Sequence, residues 1–421
     1  MSLNPVRTTL DNGVTLLVKQ ATTTPAVAIS FSIRAGSIAD PAGMSGQTWL
    51  LSRVIDRGTT TRSAADISEE LDSRGITLTI IVTRHLFSIG CRCLSEDFEA
   101  VLTLLADIVM SPSLPADEIA MRKGEIITSI RQDDDNPAIR ASETLMTLLY
   151  PDGHPYGRKT KGTIDLVEQS SRDQLLRLHA DRFAPSELTM AIVGDVDPVY
   201  AADAAARVFA DWKKAAPPAL SVPLPVVAKE RRRVVIPMMN KAQADIAYGF
   251  VSIARCDPAY YAYWLMNVAF GQYAIGGRLG DSIRERQGMA YYVSSALDAN
   301  VARGPLAIRA GVSPANVDRA VASIDEEILR LVREGLTAEE LDESRQYLIG
   351  SIPRSLETNA AIANFLQVAQ FFGLGLDYDV RLPDLLRAVT LDAVNAAARQ
   401  LLDPERASVV IAGPYEDQVI E

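Results

Sequence analysis

Side chains that could do chemistry are few in this sequence and lie far apart along the chain. Cys91 and Cys93 are two residues apart, so on a β-strand their thiols would share one face and could bind a soft metal. No third thiol lies near them, which favours a structural role. The histidines, His85, His154 and His179, are isolated from one another and are expected to be structural as well. No phosphate loop, nucleophile elbow or dinucleotide fingerprint occurs.

The charge and composition of the chain limit its partners. It has 421 residues and a formal net charge of -11, and it lacks the basic stripe of a nucleic-acid-binding protein. Three consecutive aspartates at 133–135 are typical of a solvated helix end, the alternative being attraction of basic peptides or a hard cation. No stretch approaches the ~18 apolar residues of a membrane span. With no disulfide framework, cytoplasmic and periplasmic locations both stay open.

The elements that would position a site occur twice along the chain. An amphipathic helix closed by a proline precedes a buried strand at 188–194, and a similar helix precedes a strand at 407–413. The glycines at the ends of these strands, Gly194 and Gly413, are 219 residues apart. A repeated helix–strand–turn unit of this kind indicates an internal duplication.

A second pair of similar segments supports the duplication and sets the domain boundaries. Residues 114–119 and 336–341 each precede a long predicted helix, and they start 222 residues apart. A proline-rich segment at 215–230 separates the halves, so the predicted domains are 1–215 and 230–421. Adjacent strands with grouped helices predict an α+β fold. We expect two homologous domains, each a mixed, largely antiparallel sheet packed with helices, enclosing a cavity.

A series of short motifs resembles the pitrilysin/insulinase family of zinc metallopeptidases, in the branch similar to mitochondrial processing peptidase. In the first half these motifs are Leu10-Asp11-Asn12-Gly13-Val14, His154-Pro155-Tyr156-Gly157 with Gly162, Arg182-Phe183-Ala184-Pro185 and Gly194-Asp195. In the second half they are Gly276-Gly277-Arg278-Leu279, Ile283-Arg284-Glu285-Arg286 and Gly288-Met289-Ala290-Tyr291. The resemblance lies in their order and spacing, and it covers essentially the whole chain.

Active members of that family carry His-x-x-Glu-His on a helix, with a further glutamate ligand 76 residues beyond. The two histidines lie one turn apart and bind Zn²⁺, and the glutamate between them deprotonates the metal-bound water. Gly46 and Gly58 fix the register in this chain. The first histidine, the base, the second histidine and the distant ligand then correspond to Trp49, Ser52, Arg53 and Ser129.

None of these four side chains suits zinc. Tryptophan offers no lone pair, arginine keeps its proton and serine is a poor zinc ligand. The resemblance therefore implies a degenerate metal site, with no cofactor in this chain and no peptidase activity by the chain alone. Trp49 and Arg53, one turn apart, would fill the vacated space, either by packing alone or as a refilled ligand-binding pocket.

The resemblance also implies that one functional pair is kept in the second half. In active members an arginine and a tyrosine seven residues apart hold the substrate backbone and the developing oxyanion, and here they correspond to Arg284 and Tyr291. If the family resemblance is set aside, Arg284 is explained by an ion pair on a helix surface and Tyr291 by its place at the start of a strand. Gly276 and Gly277 could offer backbone donors to an extended peptide, or they could serve a tight bend.

A chain that lacks the zinc residues but keeps this pair fits the helper half of a heterodimeric zinc endopeptidase. The expected partner is a paralogous subunit that carries His-x-x-Glu-His and the zinc, and the expected substrates are peptides or unfolded segments. The alternatives are a purely structural subunit, similar to respiratory-complex core proteins, and a free-standing peptide-binding protein. Retention of Arg284 and Tyr291 favours the first of these three hypotheses.

Overall fold

The computed structural model describes residues 2–272 and 277–416, within which the chain packs into two compact units. The first comprises the chain up to Ile130 together with Lys159–Ser221 and Ile352–Val380. The second comprises Arg131–Arg158, Val222–Ser351 and the chain from Arg381 onward. One boundary between the units lies within the proline-rich segment, between Ser221 and Val222. Each unit also includes a segment from the opposite half of the sequence. Such exchanged segments are set by tertiary packing, which the prolines and repeat offsets do not reveal.

The first unit is built on a mixed sheet. Its strands are β1 (Val6–Thr9), β2 (Thr15–Gln20), β3 (Ala26–Ile33), β4 (Thr79–Val82), β5 (Phe87–Leu94) and β6 (Leu188–Gly194). They lie in the order β1-β2-β6-β3-β5-β4, with β2 and β6 parallel and the other neighbours antiparallel. Alternate residues of β5 enter the core because successive side chains of a strand point to opposite faces. These residues are Phe87, Ile89, Cys91 and Cys93.

Within the described residues, the second unit repeats this arrangement without an equivalent of β1. Its strands are β7 (Arg232–Pro237), β8 (Ala244–Val251), β9 (Ala290–Leu297), β10 (Pro305–Val312) and β11 (Ser408–Gly413). They lie in the order β7-β11-β8-β10-β9, and β7 and β11 are the parallel pair. Strand order and direction therefore match those of β2-β6-β3-β5-β4. The α+β fold with two related sheets is confirmed.

Equivalent glycines mark the repeat at the backbone level. Gly194 and Gly413 end β6 and β11 with φ of +147° and +142°. A Cβ atom on Gly194 would collide with the carbonyl oxygen of Ala26, and one on Gly413 would lie 2.6 Å from Cα of Ala244. Ala26 and Ala244 are the first residues of β3 and β8. The same close approach of backbones at matching positions supports an origin by duplication.

Most of the remaining regular structure in the described ranges is helical. In chain order they are α1 (Gln47–Val54), α2 (Ala64–Asp72), α3 (Phe98–Met110), α4 (Ala116–Asp134), α5 (Pro137–Leu149), α6 (Ile164–Gln169), α7 (Arg172–Arg182), α8 (Pro198–Val208), α9 (Tyr260–Asn267), α10 (Val317–Glu334), α11 (Ala338–Ser355), α12 (Asn359–Phe371), α13 (Tyr378–Arg387) and α14 (Leu391–Leu401). Across the two described ranges, none of them has the length and apolar character needed to cross a bilayer.

The exchanged segments are held by specific packing inside the unit that they join. In the first unit, Gln367 of α12 donates from Nε2 to the carbonyl of Ser30 at 2.7 Å and accepts from Ser32 Oγ at 2.7 Å. In the second unit, α5 packs on β8 at Gly249. A Cβ atom on Gly249 would lie only 3.0 Å from a methyl carbon of Leu145, so the missing side chain lets the helix approach the sheet.

Candidate functional site

Helix α1 carries the degenerate zinc-site positions and is anchored at its start by a buried carboxylate. Asp40 accepts hydrogen bonds from the backbone N–H groups of Gly46 and Thr48, both at 2.7 Å, and from the Thr48 hydroxyl. These bonds satisfy donors that a helix start leaves open. The core-facing positions are fully buried: Leu50, Leu51, Val54 and Ile55. The helix is therefore held by packing and capping that need no metal.

Of the side chains that replace the histidines and the base, Trp49 and Arg53 stack on each other and Ser52 lies beneath the surface. The Arg53 guanidinium lies 4.7 Å from the centroid of the Trp49 ring, within cation–π range, and Arg53 is exposed. The ring itself is partly buried against the core. Ser52 is buried, and its hydroxyl donates to the carbonyl of Trp49 at 2.6 Å. Ser52 therefore bonds to its own helix.

Lys161 is the cation at this site that sequence reasoning missed. Its ammonium group donates to Ser129 Oγ at 2.8 Å and lies 5.8 Å from the Trp49 ring centroid. The structure thus brings Lys161 to both Trp49 and Ser129, which are distant from each other in sequence. The signal available in the sequence was indirect, because Lys161 immediately precedes the glycine at 162 that belongs to the family motif.

Two glycines fix the backbone of Lys161 against the start of α1. Gly46 and Gly162 have φ of +98° and +76°, a region that disfavours residues with a Cβ. A Cβ atom on Gly46 would lie 2.5 Å from the carbonyl oxygen of Lys161, and one on Gly162 would collide with the carbonyl oxygen of Ser45. The position of Lys161 beside the degenerate site is therefore built into the fold.

The residues present do not fit a zinc ion. The side chains at the site are an indole, two hydroxyls, a guanidinium and an ammonium, and none of these is a common zinc ligand. Arg53 and Lys161 would also repel a dication by charge. Across the described part of the chain, no group of three or more histidine, cysteine, aspartate or glutamate side chains could hold a metal ion.

Ion pairs next to the site neutralise the other nearby arginines. Arg122 contacts Glu125 at 2.6 Å and Glu118 at 3.4 Å. The hydrogen bond from Arg122 holds the pKa of Glu125 below its usual range, with weaker contributions from Arg57 and Arg53. Burial raises the pKa of Asp56, which lies 3.2 Å from Arg57. Arg53, in contrast, makes no ion pair with a carboxylate among the described residues.

The remaining cysteine and histidine candidates are embedded in the fold. Burial raises the pKa of Cys91 to about 12 and of Cys93 to about 11, so neither thiol is a ready metal ligand. Burial lowers the pKa of both His85 and His179 to about 4. His154 Nε2 lies 2.9 Å from the carbonyl oxygen of Pro223, and its Nδ1 accepts from the backbone of its own loop.

Arg284 and Tyr291 lie close in sequence on the surface of the second unit. Arg284 belongs to a π-helical segment, Gly280–Arg286, and its side chain is 43% exposed, with Glu285 as its ion-pair partner at 3.6 Å. Tyr291 is the second residue of β9 and is 83% exposed. Of the glycines proposed for substrate binding, Gly277 is buried in a bend, and Gly276 lies outside the described residues.

The segment that carries this pair is anchored beneath the two exposed side chains. Gly288, with φ of +61°, donates its N–H to the carbonyl of Arg284 at 3.0 Å and turns the chain toward β9. Ile283 and Met289 are buried, and the Met289 N–H bonds to the Ile283 carbonyl at 3.1 Å. Gln287 donates to Ser323 of α10 at 3.1 Å. The backbone is therefore fixed while Arg284 and Tyr291 project outward.

Two sequence profiles match successive parts of the chain. The profile described as Insulinase (Peptidase family M16) matches residues 15–163, and the one described as Peptidase M16 inactive domain matches residues 170–348. The chain belongs to peptidase family M16. The first profile covers the stretch with Trp49, Arg53 and Ser129, so this M16 chain lacks the zinc motif in the half where the resemblance places it.

Relatives of this M16 chain extend over its full length. It is 26% identical over 420 residues to an uncharacterized zinc protease of Mycobacterium leprae, covering 97% of this chain and 92% of the relative. It is 25% identical to an uncharacterized zinc protease of Bacillus subtilis, covering 96% and 98%. The crystal structure of a peptidase M16 inactive domain from Pseudomonas fluorescens superposes with a TM-score of 0.90 at 27% identity, covering 99% and 100%. A protease from Helicobacter pylori shares the fold, with a TM-score of 0.89 at 16% identity and coverage of 97% and 99%.

Proposed function

We propose that this M16 chain is the non-catalytic, substrate-binding subunit of a heterodimeric zinc endopeptidase. It would contribute Arg284 and Tyr291 to an active site whose zinc is bound by a paralogous partner carrying His-x-x-Glu-His. The substrates would be peptides or unfolded protein segments. The observation that carries the proposal is the exposure of these two side chains on an anchored backbone, in a chain without zinc ligands.

The exposure of Tyr291 is informative because the fold gains little from it. A tyrosine that packs buries its ring and pairs its hydroxyl, whereas Tyr291 is 83% exposed and its hydroxyl makes no hydrogen bond among the described residues. A pair of exposed donors, one a planar guanidinium and one a phenol, is suited to a peptide carbonyl and to the oxyanion that forms from it. Neither group needs a metal on this chain.

Gly276 and Gly277 are proposed to assist by binding the substrate backbone. An extended peptide exposes a row of N–H and C=O groups, and proteins commonly bind such a peptide through backbone hydrogen bonds. Gly277 is close in sequence to Arg278, which is buried and forms a bidentate pair with Glu340 at 2.6 and 2.8 Å. This pair ties the residue that follows Gly277 to the start of α11.

The test is reconstitution of the chain with a zinc-bearing paralogue from the same genome. Arg284→Ala and Tyr291→Phe each remove one donor, and loss of an oxyanion donor typically lowers turnover ~10²–10³-fold. We expect that fall in the hydrolysis of an unstructured peptide, with unchanged assembly by size-exclusion chromatography and unchanged zinc in the partner. Arg333→Ala is the matched control, because Arg333 is also an exposed arginine paired with the neighbouring glutamate, at 2.8 Å.

The alternatives give different outcomes in the same assay. A purely structural subunit would assemble with a partner, and Arg284→Ala and Tyr291→Phe would both retain wild-type activity. A free-standing peptide-binding protein would bind peptide without assembling with any zinc-bearing paralogue. Either result would displace the helper-subunit proposal.

A further inference from the structure

A cavity of about 560 Å³ lies in the second unit, where β8 ends and β10 begins. Its lining residues all belong to that unit, and they are separate from the segment that carries Arg284 and Tyr291. The volume falls within the roughly 300–1,000 Å³ of pockets that bind small molecules. Part of the wall consists of buried apolar side chains, among them Leu149, Phe250 and Leu401. The cavity can therefore hold an apolar group.

Arg303 is fixed at the wall of this cavity by hydrogen bonds to the neighbouring chain. Just beyond the ends of β8 and β10, the Ser252 N–H donates to the carbonyl of Gly304 at 2.7 Å. Arg303 Nε donates to the carbonyl of Ser252 at 2.7 Å, and the Arg303 carbonyl accepts from the Tyr150 hydroxyl at 3.0 Å. Among the described residues, the two terminal nitrogens of this guanidinium have no hydrogen-bond or ion-pair partner. Arg303 is therefore a preorganised donor for a ligand in the cavity.

Asp257 brings a carboxylate to the same cavity without pairing with Arg303. It precedes α9, and one of its oxygens accepts the N–H of Ala259 at 2.8 Å. Burial raises the pKa of Tyr263, another lining residue, and Asp257 adds to that shift while Arg303 opposes it. Both charges thus act on one phenol, yet within the described ranges neither Asp257 nor Arg303 forms an ion pair. The cavity presents a cation and an anion that do not satisfy each other.

A buried hydroxyl adds a third available polar group to the wall. Ser252 is fully buried, and its Oγ has no hydrogen-bond partner in the described part of the chain. Buried polar side chains without a partner are rare, because burial removes the hydrogen bonds that they make to water. The remaining arginine of the wall, Arg406, is already paired with Asp403 at 2.9 Å. The groups available to a ligand are therefore a guanidinium, a carboxylate and a hydroxyl.

We propose that this cavity binds a short apolar peptide of two or three residues by both of its termini. The peptide carboxylate accepts from Arg303, the peptide ammonium group donates to Asp257, and the apolar side chains pack on the apolar wall. The Ser252 hydroxyl donates to a carbonyl of the peptide. A cube of the cavity's volume has an edge of about 8 Å, and an extended chain spans ~3.3–3.6 Å per residue.

A ligand with one charge of each sign is favoured because it satisfies both charged side chains. An inorganic anion or an aliphatic carboxylate would pair with Arg303 and leave Asp257 without a partner. The site lies within the second unit, so binding requires no partner subunit. It therefore does not depend on the proposed helper function.

Calorimetric titration of the purified chain with three forms of one tripeptide tests this site. The forms are alanyl-leucyl-alanine with both termini free, the same peptide acetylated at its N-terminus, and the same peptide amidated at its C-terminus. A charge-assisted hydrogen bond corresponds to ~10–100-fold in affinity. We expect the wild type to bind the free peptide more tightly than either blocked form by that factor. No binding of the free peptide, or equal affinity for a blocked form, would overturn the proposal.

Two variants assign each terminus of the peptide to its residue. Arg303→Gln should bind the free and the amidated peptide equally while still preferring the free to the acetylated form. Asp257→Asn should bind the free and the acetylated peptide equally while still preferring the free to the amidated form. Because each comparison is made within one variant, a general loss of affinity does not produce this pattern. Wild-type discrimination in both variants would show that the peptide binds elsewhere.

Ser252→Ala separates a role in binding from a role in the fold. Because the hydroxyl has no partner among the described residues, its removal should not lower the unfolding free energy in urea. Affinity for the free peptide should nevertheless fall ~2–10-fold, the effect of one neutral hydrogen bond. The matched control is Arg309→Gln, since Arg309 is an exposed arginine of β10 outside the cavity wall, and it should bind all three forms like the wild type. Unchanged affinity in Ser252→Ala, or weaker binding in Arg309→Gln, would contradict the proposed site.

Discussion

Two buried histidines should make this protein sensitive to mild acid. His179 lies on α7, where its Nε2 donates to the carbonyl of Val109 at 2.8 Å. His85 is buried in the turn between β4 and β5. Burial lowers the pKa of both side chains from 6.5 to about 4. For His85 the neighbouring Arg84 lowers the pKa further, and for His179 the hydrogen bond to Val109 partly opposes the shift.

The direction of the effect follows from which state binds the proton. Below about pH 6.5 the unfolded chain protonates both imidazoles, whereas the folded chain protonates them only near pH 4. Stability is therefore complete above pH 6.5 and falls as the pH decreases toward 4. Each histidine contributes up to ~1.4 kcal/mol per pH unit in that window, or about 2 kcal/mol each at pH 5. The two together amount to about 4 kcal/mol, against a typical unfolding free energy of about 5–15 kcal/mol.

Carboxylates whose pKa is lowered do not obscure this window, and Asp56, whose pKa is raised by burial, is common to the wild type and the histidine variant compared below. A group such as Glu340, whose pKa is lowered from 4.5 mainly by its bonds to Arg278 against the opposing effect of burial, loses its contribution only below pH 4.5. The assay is urea unfolding at about pH 7.5 and at about pH 5. His179→Gln keeps a donor for Val109 but does not titrate, so it should show about half the wild-type loss. A wild type equally stable at both pH values, or a variant with the full loss, would refute the reasoning.

Two further predictions concern the degenerate site. Asp40→Ala should lower the unfolding free energy by about 2 kcal/mol in urea titrations, because three donors at the start of α1 lose a buried acceptor. The control is Ser63→Ala, which removes an exposed helix cap, and an equal or smaller loss in Asp40→Ala would contradict the role assigned to Asp40. The wild type should bind no stoichiometric zinc in metal analysis after dialysis. The family ligand set is restored by Trp49→His, Ser52→Glu, Arg53→His and Ser129→Glu together. This variant should hold zinc tightly only when Lys161→Met is added, and equal zinc content with Lys161 in place would show that its charge does not matter.

Local sequence signals predicted the regular elements well where those signals are strong. The residues at 317–334 form a strongly helical pattern in the sequence, and in the structure they are α10, Val317–Glu334, which ends at Gly335 with φ of +75°. The predicted strand at 188–194 is β6, and both repeat glycines end their strands as expected. In contrast, the apolar sequence at 76–82 predicts a strand over all seven residues, whereas β4 begins only at Thr79. The Ile76 N–H donates to the carbonyl of Leu71 in α2, so residues 76–78 form part of the turn that follows this helix.

The sequence predicted only part of the site, because local spacing places some of its residues and tertiary contacts place the others. Spacing on one helix places Trp49, Ser52 and Arg53 together, since i and i+4 share a face. Nothing local places Lys161 there, because its position depends on two glycine backbones meeting across the fold. The same limitation applies to Gln367, whose bonds to Ser30 and Ser32 join residues more than 330 positions apart. Tertiary contacts of this kind have no periodic signature in one sequence.

The two halves of the chain differ in what the fold itself requires. Helix α1 is stabilised by its buried face and by Asp40, so the loss of zinc ligands removes chemistry and leaves the architecture intact. Arg284 and Tyr291 are the opposite case, since their side chains are exposed and the anchoring is done by Ile283, Met289 and Gln287. The fold would tolerate many residues at those two surface positions. Stability therefore does not account for the choice of an arginine and a tyrosine at these two positions, and the proposed contribution to a partner's active site does.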